Sequence, residues 1–305
     1  MKIIRDLQEI TLNEPLTVSI GGFDGIHIGH QKIIENVVRN SIKNNTKSAL
    51  ITFKPLPKVF FSKKNFELIS IYQKIDILRK FNLDYLIILR FNAELISMNH
   101  IDFIEDLLIQ KLNVKSLTVG DDFKFGKDQK GSVSDLVTYS KKGYFSIHIE
   151  DKHISDNKRI SSSLIREAVL ENNFALASKM LGRPYSVSGK ITHGDKRGSK
   201  IGFPTANIKI EPNVLLGGVY AVSTKINGKK YDGVANIGYK PTFNGENYLF
   251  EANIFNFSDD LYGKRLNFEI ISKIRETKKF SGIEELKKYI NKDINTAKKI
   301  FKSNE

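Results

Sequence analysis

Short apolar runs alternate with helix-type segments along the first half of the chain. The apolar runs predict buried strands over 16–20, 48–53, 85–89, 116–119 and 145–149. Apolar residues at helical spacing predict helices between them, for example over 29–43, 101–112 and 133–142. This alternation is typical of an α/β fold with an open, parallel, doubly wound sheet. Ligands bind such sheets at the carboxyl ends of the strands.

The pattern changes in the second half. Residues 161–181 are predicted to form a helix that ends at Gly182-Arg183-Pro184. Strand-type segments then follow one another near 185–192, 217–226, 230–237, 247–257 and 265–274, and a final helix is predicted over 283–300. We therefore expect two domains, 1–182 with the parallel sheet (Rossmann-like) and 183–305 with a β-barrel and a C-terminal helix.

Charge points to phosphate-bearing partners. The chain has 305 residues, with 48 Lys and Arg against 34 Asp and Glu, a formal net charge of +14. Such a surplus attracts polyanions, either nucleotide phosphates or nucleic acid. The basic residues are mostly scattered lysines, without the aromatic residues interleaved with arginine that are typical of RNA-binding surfaces. We expect small-molecule partners and no nucleic acid.

Several compartments and chemistries are disfavoured by the composition. The chain has no cysteine, so it has no disulfide, thiolate ligand or thiol nucleophile. The N-terminal residues include Asp6 and Glu9 and do not read as a secretory signal. No apolar run is long enough to span a bilayer. These features predict a cytoplasmic protein with no membrane partner.

The glycine-rich stretch 20–31, IGGFDGIHIGHQ, lies between the first predicted strand and its helix. A glycine-rich turn leading into a helix N-terminus is a phosphate-binding corner. His27 and His30 lie in this corner, where protonated or hydrogen-bonded imidazoles would stabilise charge that grows as pyrophosphate leaves. The HxGH pattern is the signature of the nucleotidylyltransferase superfamily. The similarity of this stretch to that signature implies that Gly22, Phe23, Asp24, Gly25 and Gly29 bind ATP.

The two histidines of this corner also allow a purely structural role or a metal site. The two histidines could simply cap the helix or hydrogen-bond within a turn. A metal pair is disfavoured because no third histidine or carboxylate follows at ligand spacing and the chain has no cysteine.

Two further segments carry phosphate-type chemistry. Ser161, Ser162 and Ser163 precede Arg166, whose guanidinium suits a forked contact to phosphate, although the serines alone would also make a plain helix cap. The stretch 192–208, THGDKRGSKIGFPTANI, is a glycine-rich basic loop that can wrap a polyphosphate. Thr205 and Asn207 offer hard oxygen ligands suited to Mg²⁺, although Pro-Thr-Ala-Asn alone would be an ordinary turn.

Together these strings resemble the bacterial family of bifunctional riboflavin kinase/FMN adenylyltransferases (FAD synthetases). The resemblance covers about 15–300 and is carried in order by 21–30, 51–57, 119–126, 160–167, 192–208, 233–243, 249–266 and 274–280. It implies that the second half phosphorylates riboflavin to FMN with ATP and Mg²⁺. The first half would then transfer AMP from ATP to FMN, giving FAD and pyrophosphate.

The resemblance also implies residue roles. Glu251 takes the place of the catalytic carboxylate of the kinase. The structural alternative is that Glu251 is an exposed strand residue in a salt bridge. The implied kinase residues for ATP are Gly194, Asp195, Lys196, Gly198, Gly202, Phe203 and Pro204, and those for flavin are Arg275 and Phe280. The implied flavin residues of the adenylyltransferase are Phe53, Asp122 and Phe123. The chain departs from the family at Leu56 and Asn253, where histidine is usual.

Two rival functions differ in class from this one. The first is an adenylyltransferase with a single activity, whose barrel only binds flavin; the intact GFPTAN string and Glu251 argue against it. The second is a tRNA- or RNA-acting protein, suggested by the literal HIGH string at 27–30 and by the charge. A tRNA synthetase would need a KMSKS-like loop and usually a longer chain.

Overall fold

The computed structural model describes residues 1–5, 12–62, 67–150, 154–155, 158–194, 201–210, 216–242 and 245–303. The chain divides into two compact units, Met1–Ser162 and Ser163–Glu305.

Parallel strands form the main sheet of the first unit. In chain order the strands of this unit are β1 (Lys2–Ile4), β2 (Leu16–Ile20), β3 (Lys47–Lys54), β4 (Tyr85–Arg90), β5 (Val114–Gly120), β6 (Lys124–Phe125), β7 (Gly131–Ser132), β8 (Ser146–Glu150), β9 (Ile154–Ser155) and β10 (Lys158–Arg159). The six-stranded sheet has the order β1-β4-β3-β2-β5-β8, and every pairing in it is parallel. The predicted parallel sheet is confirmed, and β1 is an addition to it. The pairs β6–β7 and β9–β10 are separate antiparallel hairpins.

Helices connect these strands. They are α1 (Ile28–Lys43), α2 (Pro57–Phe61), α3 (Ile71–Leu78), α4 (Ala93–Ser97), α5 (His100–Asp102) and α6 (Val133–Lys141), with short 3₁₀ turns at Arg79–Phe81 and Lys127–Gln129. Two further helices, α7 (Ser162–Leu170) and α8 (Phe174–Leu181), follow the last of these strands and, from Ser163 onward, belong to the second unit. Several begin at a polar cap, as where the Ser70 side chain accepts a hydrogen bond from Gln73 N–H at the start of α3.

The helix predicted over 101–112 is present, but most of it is a π-helix. Only α5 is α-helical, and Phe103–Lys111 continues as a π-helix. The Leu112 N–H, for example, donates to the Leu107 carbonyl, five residues back, at 3.0 Å. The π-helix still buries Phe103, Ile104, Leu107 and Leu108. An apolar pattern of this spacing fits both helix types, so it gave no warning of the wider turn.

The single helix predicted over 161–181 is interrupted. Helix α7 ends at Leu170, and Asn172 adopts the left-handed conformation with a φ of 58°. The Asn173 side chain then caps α8 by accepting a hydrogen bond from Leu176 N–H at 3.1 Å. Asparagine tolerates both tasks, which explains the break. Helix α8 ends at Gly182 as predicted, with a φ of 67°.

A closed antiparallel barrel occupies the rest of the second unit. Its strands are β11 (Ser186–Thr192), β12 (Ala206–Lys209), β13 (Gly218–Ile226), β14 (Lys229–Thr242), β15 (Gly245–Ile254) and β16 (Arg265–Arg275), and α9 (Ile283–Lys302) follows them. The closed order is β11-β12-β15-β14-β13-β16. The predicted barrel and C-terminal helix are confirmed. The prediction omitted β12, which contains part of the Pro-Thr-Ala-Asn string that had suggested a turn.

Large aromatic side chains fill the barrel. Tyr220, Phe250 and Phe268 are among the largest fully buried side chains of the chain. Burying a side chain of this size contributes roughly 1.5–3 kcal/mol. Strand β12 approaches β11 so closely that a Cβ on Gly189 would lie 2.2 Å from Ile208 Cγ2. Only glycine fits at that crossing, directly beside the strand that carries Asn207.

Candidate active sites

The glycine-rich corner lies at the switch point of the parallel sheet. From β2 the chain continues to β3 and β4 on one side, and after β4 it returns to β5 on the other side of β2. Crevices at the carboxyl ends of strands form at such points. The loop after β2, which holds residues 21–27, therefore lies where an open α/β sheet binds its ligand.

His27 and His30 are in direct contact in this corner. His27 is the N-cap of α1, and its Nδ1 accepts a hydrogen bond from His30 N–H at 3.3 Å. The two imidazole rings stack with centroids 3.6 Å apart, and the Phe23 ring meets His30 edge-on at 5.2 Å. The capping alternative is therefore correct for His27. It does not compete with the phosphate-site prediction, since the cap places both rings at the helix N-terminus.

The surroundings of His30 favour the neutral form of its imidazole. Burial, followed by the charges of His27 and Lys74, holds the pKa of His30 well below its usual 6.5. Its Nδ1 is enclosed and has no hydrogen-bond partner within the part of the chain that the structure describes. Of the two states anticipated for this corner, the lowered pKa of His30 favours the neutral imidazole over the cation.

The loop itself has an unusual backbone. Phe23 and Ile26 have φ values of 44° and 43°, and Gly25 has a φ of 78°. Such values are strained for residues with side chains and persist where the surroundings enforce them. Burial of Phe23 and Ile26 supplies that enforcement here. Gly29 is buried in the first turn of α1.

Asp24 binds neighbouring backbone. Its Oδ1 accepts a hydrogen bond from Leu68 N–H at 2.8 Å, and the residue is buried. The hydroxyl of Ser162, the last residue of the first unit, donates to the Asp24 carbonyl at 2.9 Å. Ser161 directly precedes α7, while Ser163 and Arg166 lie on it.

An aromatic cluster adjoins the ends of β3 and β4. Phe53, at the end of β3, meets Phe91 edge-on at 5.9 Å. Phe60 and Phe61 on α2 pack against Phe91 with centroids 5.4 Å and 5.8 Å away. Phe60 and Phe61 are 47% and 65% exposed. The sequence prediction found Phe53 and missed the other three, although the ITFKPLP string leads directly into α2.

Asp122 and Phe123 follow β5, the other neighbour of β2. The Phe123 ring stacks on Phe125 of the β6–β7 hairpin with centroids 5.5 Å apart. Asp122 is exposed. Both residues thus follow the end of a strand that flanks β2, and their role in flavin binding stays a prediction.

Leu56, which departs from the family, lies beside the corner. It is buried, and its Cδ2 would be 3.7 Å from a Cβ built on Gly22. A hydrocarbon therefore contacts the loop where the family usually has an imidazole.

Two cavities of the second unit share Thr205 in their linings. The first, of about 400 Å³, is lined in part by His193, Gly194, Pro204, Thr205 and Asn207. The second, of about 300 Å³, is lined in part by Phe203, Thr205, Glu251, Arg275 and Phe280. Phe203 was predicted with the ATP residues, but it lies on the Glu251 side. Gly202 adopts a φ of 92°, a value that favours glycine.

A row of polar residues crosses the barrel wall at this place. Glu251 on β15 lies opposite Asn207 on β12 and opposite Asn236 on β14. The Asn207 Nδ2 donates to the carbonyl oxygen and Oγ1 of Thr205, at 3.1 Å and 3.4 Å. The Asn207 Oδ1 is buried without a hydrogen-bond partner among the described residues. An enclosed oxygen with a free lone pair suits a hard cation such as Mg²⁺.

Arg275 forms an ion pair with the C-terminal helix. Its Nε and Nη2 donate to the carboxylate of Asp293 on α9, at 2.9 Å and 2.8 Å to the nearer oxygens. The Phe280 and Tyr289 rings each lie 5.6 Å from the guanidinium carbon. The sequence prediction missed Asp293, which lines the second cavity together with Arg275.

Asn253, the second departure from the family, binds the glycine-rich segment. Its Nδ2 donates to the Pro204 carbonyl at 2.8 Å. Three residues predicted to bind ATP in this half lie outside the described residues: Asp195, Lys196 and Gly198. Among the residues described, no group of three His, Cys, Asp or Glu side chains could hold a metal ion. A cation at Asn207 would therefore depend on neutral oxygens and on its nucleotide.

A phosphate corner in a parallel sheet and a second phosphate-type loop beside a barrel cavity define a two-domain, nucleotide-dependent transferase. The family model described as FAD synthetase matches residues 9–164, and the one described as riboflavin kinase matches 181–301. The chain belongs to the family of bifunctional riboflavin kinase/FMN adenylyltransferases.

Relatives of that description match almost the whole chain. The bifunctional riboflavin kinase/FMN adenylyltransferase of Buchnera aphidicola subsp. Schizaphis graminum is 40% identical over 99% of each chain. That of Escherichia coli K12 is 35% identical over 99% of this chain and 98% of its own.

A solved structure also covers both units. It is titled as a macrolide-efflux protein from Streptococcus pneumoniae, and it matches with a TM-score of 0.75 and 29% identity over 95% of this chain and 97% of that one. Within the described residues, this chain has no helix with the length and apolar character needed to cross a membrane.

Proposed function

We propose that the chain makes FAD from riboflavin in two steps, with a separate site for each. The second unit phosphorylates riboflavin with ATP to give FMN. The first unit then joins FMN to AMP from a second ATP and releases pyrophosphate. The observation that carries the proposal is that two cavities share Thr205 in their linings, one with Gly194 and Asn207 and the other with Glu251. A phosphate donor and its acceptor need adjoining places of this kind.

Glu251 is the general base of the kinase step. Its carboxylate accepts the proton of the ribityl 5′-hydroxyl as that oxygen attacks the γ-phosphorus of ATP. The bond between the γ-phosphorus and the bridging oxygen breaks, and ADP leaves. Thr205, which lines both cavities, lies at the crossing point. We assign Phe203 to the flavin side, because it shares the cavity of Glu251 and Phe280.

Mg²⁺ is the cation of the kinase site in this proposal. Asn207 Oδ1 and the Thr205 hydroxyl would hold it, and it would supply neutralisation of phosphate charge. The support is the enclosed, unpartnered Oδ1 of Asn207 within the described residues and the register that sets Glu251 beside Asn207.

The adenylyl step depends on positioning and charge neutralisation. A phosphate oxygen of FMN attacks the α-phosphorus of ATP, and pyrophosphate departs with the bond electrons. The nucleophile is already an anion, so no strong base is needed. The N-terminus of α1 and the imidazoles of His27 and His30 stabilise the charge that grows on the phosphates. A forked contact from Arg166 to phosphate remains part of the proposal.

The aromatic cluster of Phe53, Phe60, Phe61 and Phe91 is the flavin platform of the adenylyltransferase. The exposed rings of Phe60 and Phe61 on α2 suit stacking with the flat isoalloxazine ring. Asp122 and Phe123 would bound the flavin from the side of β5. Both steps use ATP, and this requirement supports the cytoplasm as the place of action.

The test is a time course with riboflavin, ATP and Mg²⁺, followed by chromatography. We expect riboflavin to fall, FMN to rise first, and FAD to follow. FAD formation only when FMN is supplied would indicate the single-activity rival, with a barrel that merely binds flavin. Formation of neither product would contradict the proposal.

A further inference from the structure

We propose that Lys74, on α3, is a positioning residue for adenylyl transfer, because it fixes the peptide between Gly22 and Phe23 in the phosphate corner. The inference rests on the proposed adenylyltransferase function. No motif in the sequence marks Lys74, and it contacts the glycine-rich loop through a backbone carbonyl.

Lys74 is buried, which is rare for lysine. The residue is 2% exposed, and its Nζ donates to the Gly22 carbonyl at 2.7 Å and to Thr52 Oγ1 at 3.2 Å. The Thr52 hydroxyl in turn donates to the same Gly22 carbonyl at 3.2 Å. Two donors from two elements, α3 and β3, therefore hold one carbonyl oxygen.

Anchoring that carbonyl fixes the direction of the next N–H. A trans peptide points its C=O and N–H to opposite sides, so the Phe23 N–H is directed away from Lys74. This N–H donates no hydrogen bond within the described parts of the chain. Backbone N–H groups of this kind form anion-binding concavities in phosphate loops. The Phe23 backbone is also left-handed, with a φ of 44°, so the loop needs an anchor to keep this shape.

The charges around Lys74 come from every neighbouring segment. Asp24 in the corner and Glu67 before α3 favour its charged form, and Lys54 at the end of β3 disfavours it. Burial is the largest effect and lowers the pKa of Lys74 to about 8. His30 on α1 lies within electrostatic reach, since the charge of Lys74 contributes to its lowered pKa. The ammonium is therefore close to losing its proton at mildly alkaline pH.

Deprotonation weakens the anchor and leaves the fold in place. A charged donor makes a stronger hydrogen bond to a carbonyl than a neutral amine does. As pH rises through about 8, Lys74 becomes neutral and its hold on Gly22 loosens. The rate of adenylyl transfer should then fall on the alkaline side, while the kinase in the other unit has no such dependence on Lys74.

The experiment compares Lys74→Met with Lys47→Met in the full chain. Lys47 loses the same charge at the opposite end of β3, where its Nζ lies 3.9 Å from Asp84. FAD formation from supplied FMN and FMN formation from riboflavin are measured separately. We expect Lys74→Met to lower kcat for FAD formation about 10²-fold, the loss typical of a misplaced site, with a smaller change in KM for ATP. FMN formation should stay unchanged, and Lys47→Met should match the unsubstituted chain in both assays.

A pH series separates positioning from general support of the fold. The unsubstituted chain should lose FAD formation above about pH 8. Lys74→Arg should form FAD more slowly than the unsubstituted chain, but its rate should not change across that pH range, because arginine stays charged. Normal kcat and an unchanged alkaline limb in Lys74→Met would overturn the inference. Equal loss of both activities, with a lowered melting temperature, would overturn it as well.

If Lys74→Met does not fold, Thr52→Val provides the test. It keeps the volume, removes one donor to Gly22, and should lower FAD formation a few-fold; no change in FAD formation would contradict the anchor. Failure of the unsubstituted chain to make FAD would count against the proposed function, whereas FAD formation unaffected in the variants counts only against Lys74.

Discussion

Each of the two candidate sites contains a buried polar atom that has no hydrogen-bond partner among the described residues. Asn207 has a buried amide oxygen without a partner in the described structure, and His30 has an enclosed Nδ1 in the same condition. A buried polar atom of this kind costs stability unless a ligand completes it. Both atoms lie where phosphate chemistry is proposed, so their cost is consistent with a functional role.

Glu251→Gln should abolish FMN formation and spare FAD formation from supplied FMN. The amide cannot accept the proton of the ribityl hydroxyl, and loss of a general base costs about 10²–10⁴ in rate. The measurement is the rate of each half-reaction by chromatography. Glu269→Gln is the matched control, since Glu269 is a carboxylate of the same barrel that lies 3.4 Å from the Ser223 hydroxyl. Near-normal kinase turnover in Glu251→Gln would rule out the assignment.

His30→Ala should depress FAD formation and leave the kinase intact. Loss of one preorganised donor costs roughly 10²–10³ in kcat. Stability should change little through hydrogen bonding, because Nδ1 has no partner to lose among the described residues. His148→Ala, at a half-exposed histidine beside Glu150, serves as the control. Unchanged ATP affinity and FAD production in His30→Ala would show that the corner is not part of the adenylyltransferase site.

At the scale of elements, the spacing of apolar residues predicted the strands and helices that pack in the core, and it missed local features of the backbone. The strands of the parallel sheet and the helix α9 follow from apolar spacing. Strand β12 was missed because Pro204 and Asn207 are turn-type residues, and it forms because its neighbours β11 and β15 offer open edges to pair with. Lys74 was missed because lysine on a helix normally indicates an exposed face, and its partners in the folded chain, the Gly22 carbonyl and the Thr52 hydroxyl, come from other segments.

The ion pair between β16 and α9 should stabilise the cavity of the kinase. Asp293→Asn leaves Arg275 with a weakened partner, and we expect the free energy of unfolding to fall by roughly 3 kcal/mol, the low end for a broken buried pair. The Asp293 and Arg275 side chains are 6% and 22% exposed. KM for riboflavin should rise, because both residues line the cavity.

The same helix offers a control for this pair. Glu284 binds Lys287 at 3.1 Å in an exposed pair. Surface pairs contribute about 0–1 kcal/mol, so Glu284→Gln should leave both stability and KM nearly unchanged. Denaturant titration and riboflavin saturation curves measure the two effects. Equal behaviour of Asp293→Asn and Glu284→Gln would contradict the role of the pair.

At the scale of the molecule, each of the two units has its own core and its own candidate site. The sequence prediction placed the boundary after Gly182, and this placement stays a prediction. Helix α8 packs on the barrel within the second unit, with the Phe174 ring 6.1 Å from Tyr185 and 6.0 Å from Tyr220. Ser178 also accepts a hydrogen bond from Tyr185 N–H.

Fragments of the chain test this organisation. We expect 183–305 to fold and phosphorylate riboflavin, and 163–305 to do so with a higher melting temperature, because it keeps Phe174 against the barrel. Thermal unfolding and FMN formation measure the two properties. A fragment 163–305 that unfolds cooperatively but makes no FMN would mean that the kinase site borrows residues from the first unit.

The central claim is that two separate sites on one chain act in sequence through free FMN. The most direct measurement mixes Glu251→Gln with His30→Ala and supplies riboflavin, ATP and Mg²⁺. Alone, the first variant should leave riboflavin unchanged and the second should accumulate FMN. The mixture should make FAD, since FMN released by one variant is adenylylated by the other. A mixture that makes no FAD, while each variant keeps its own half-reaction, would contradict the account.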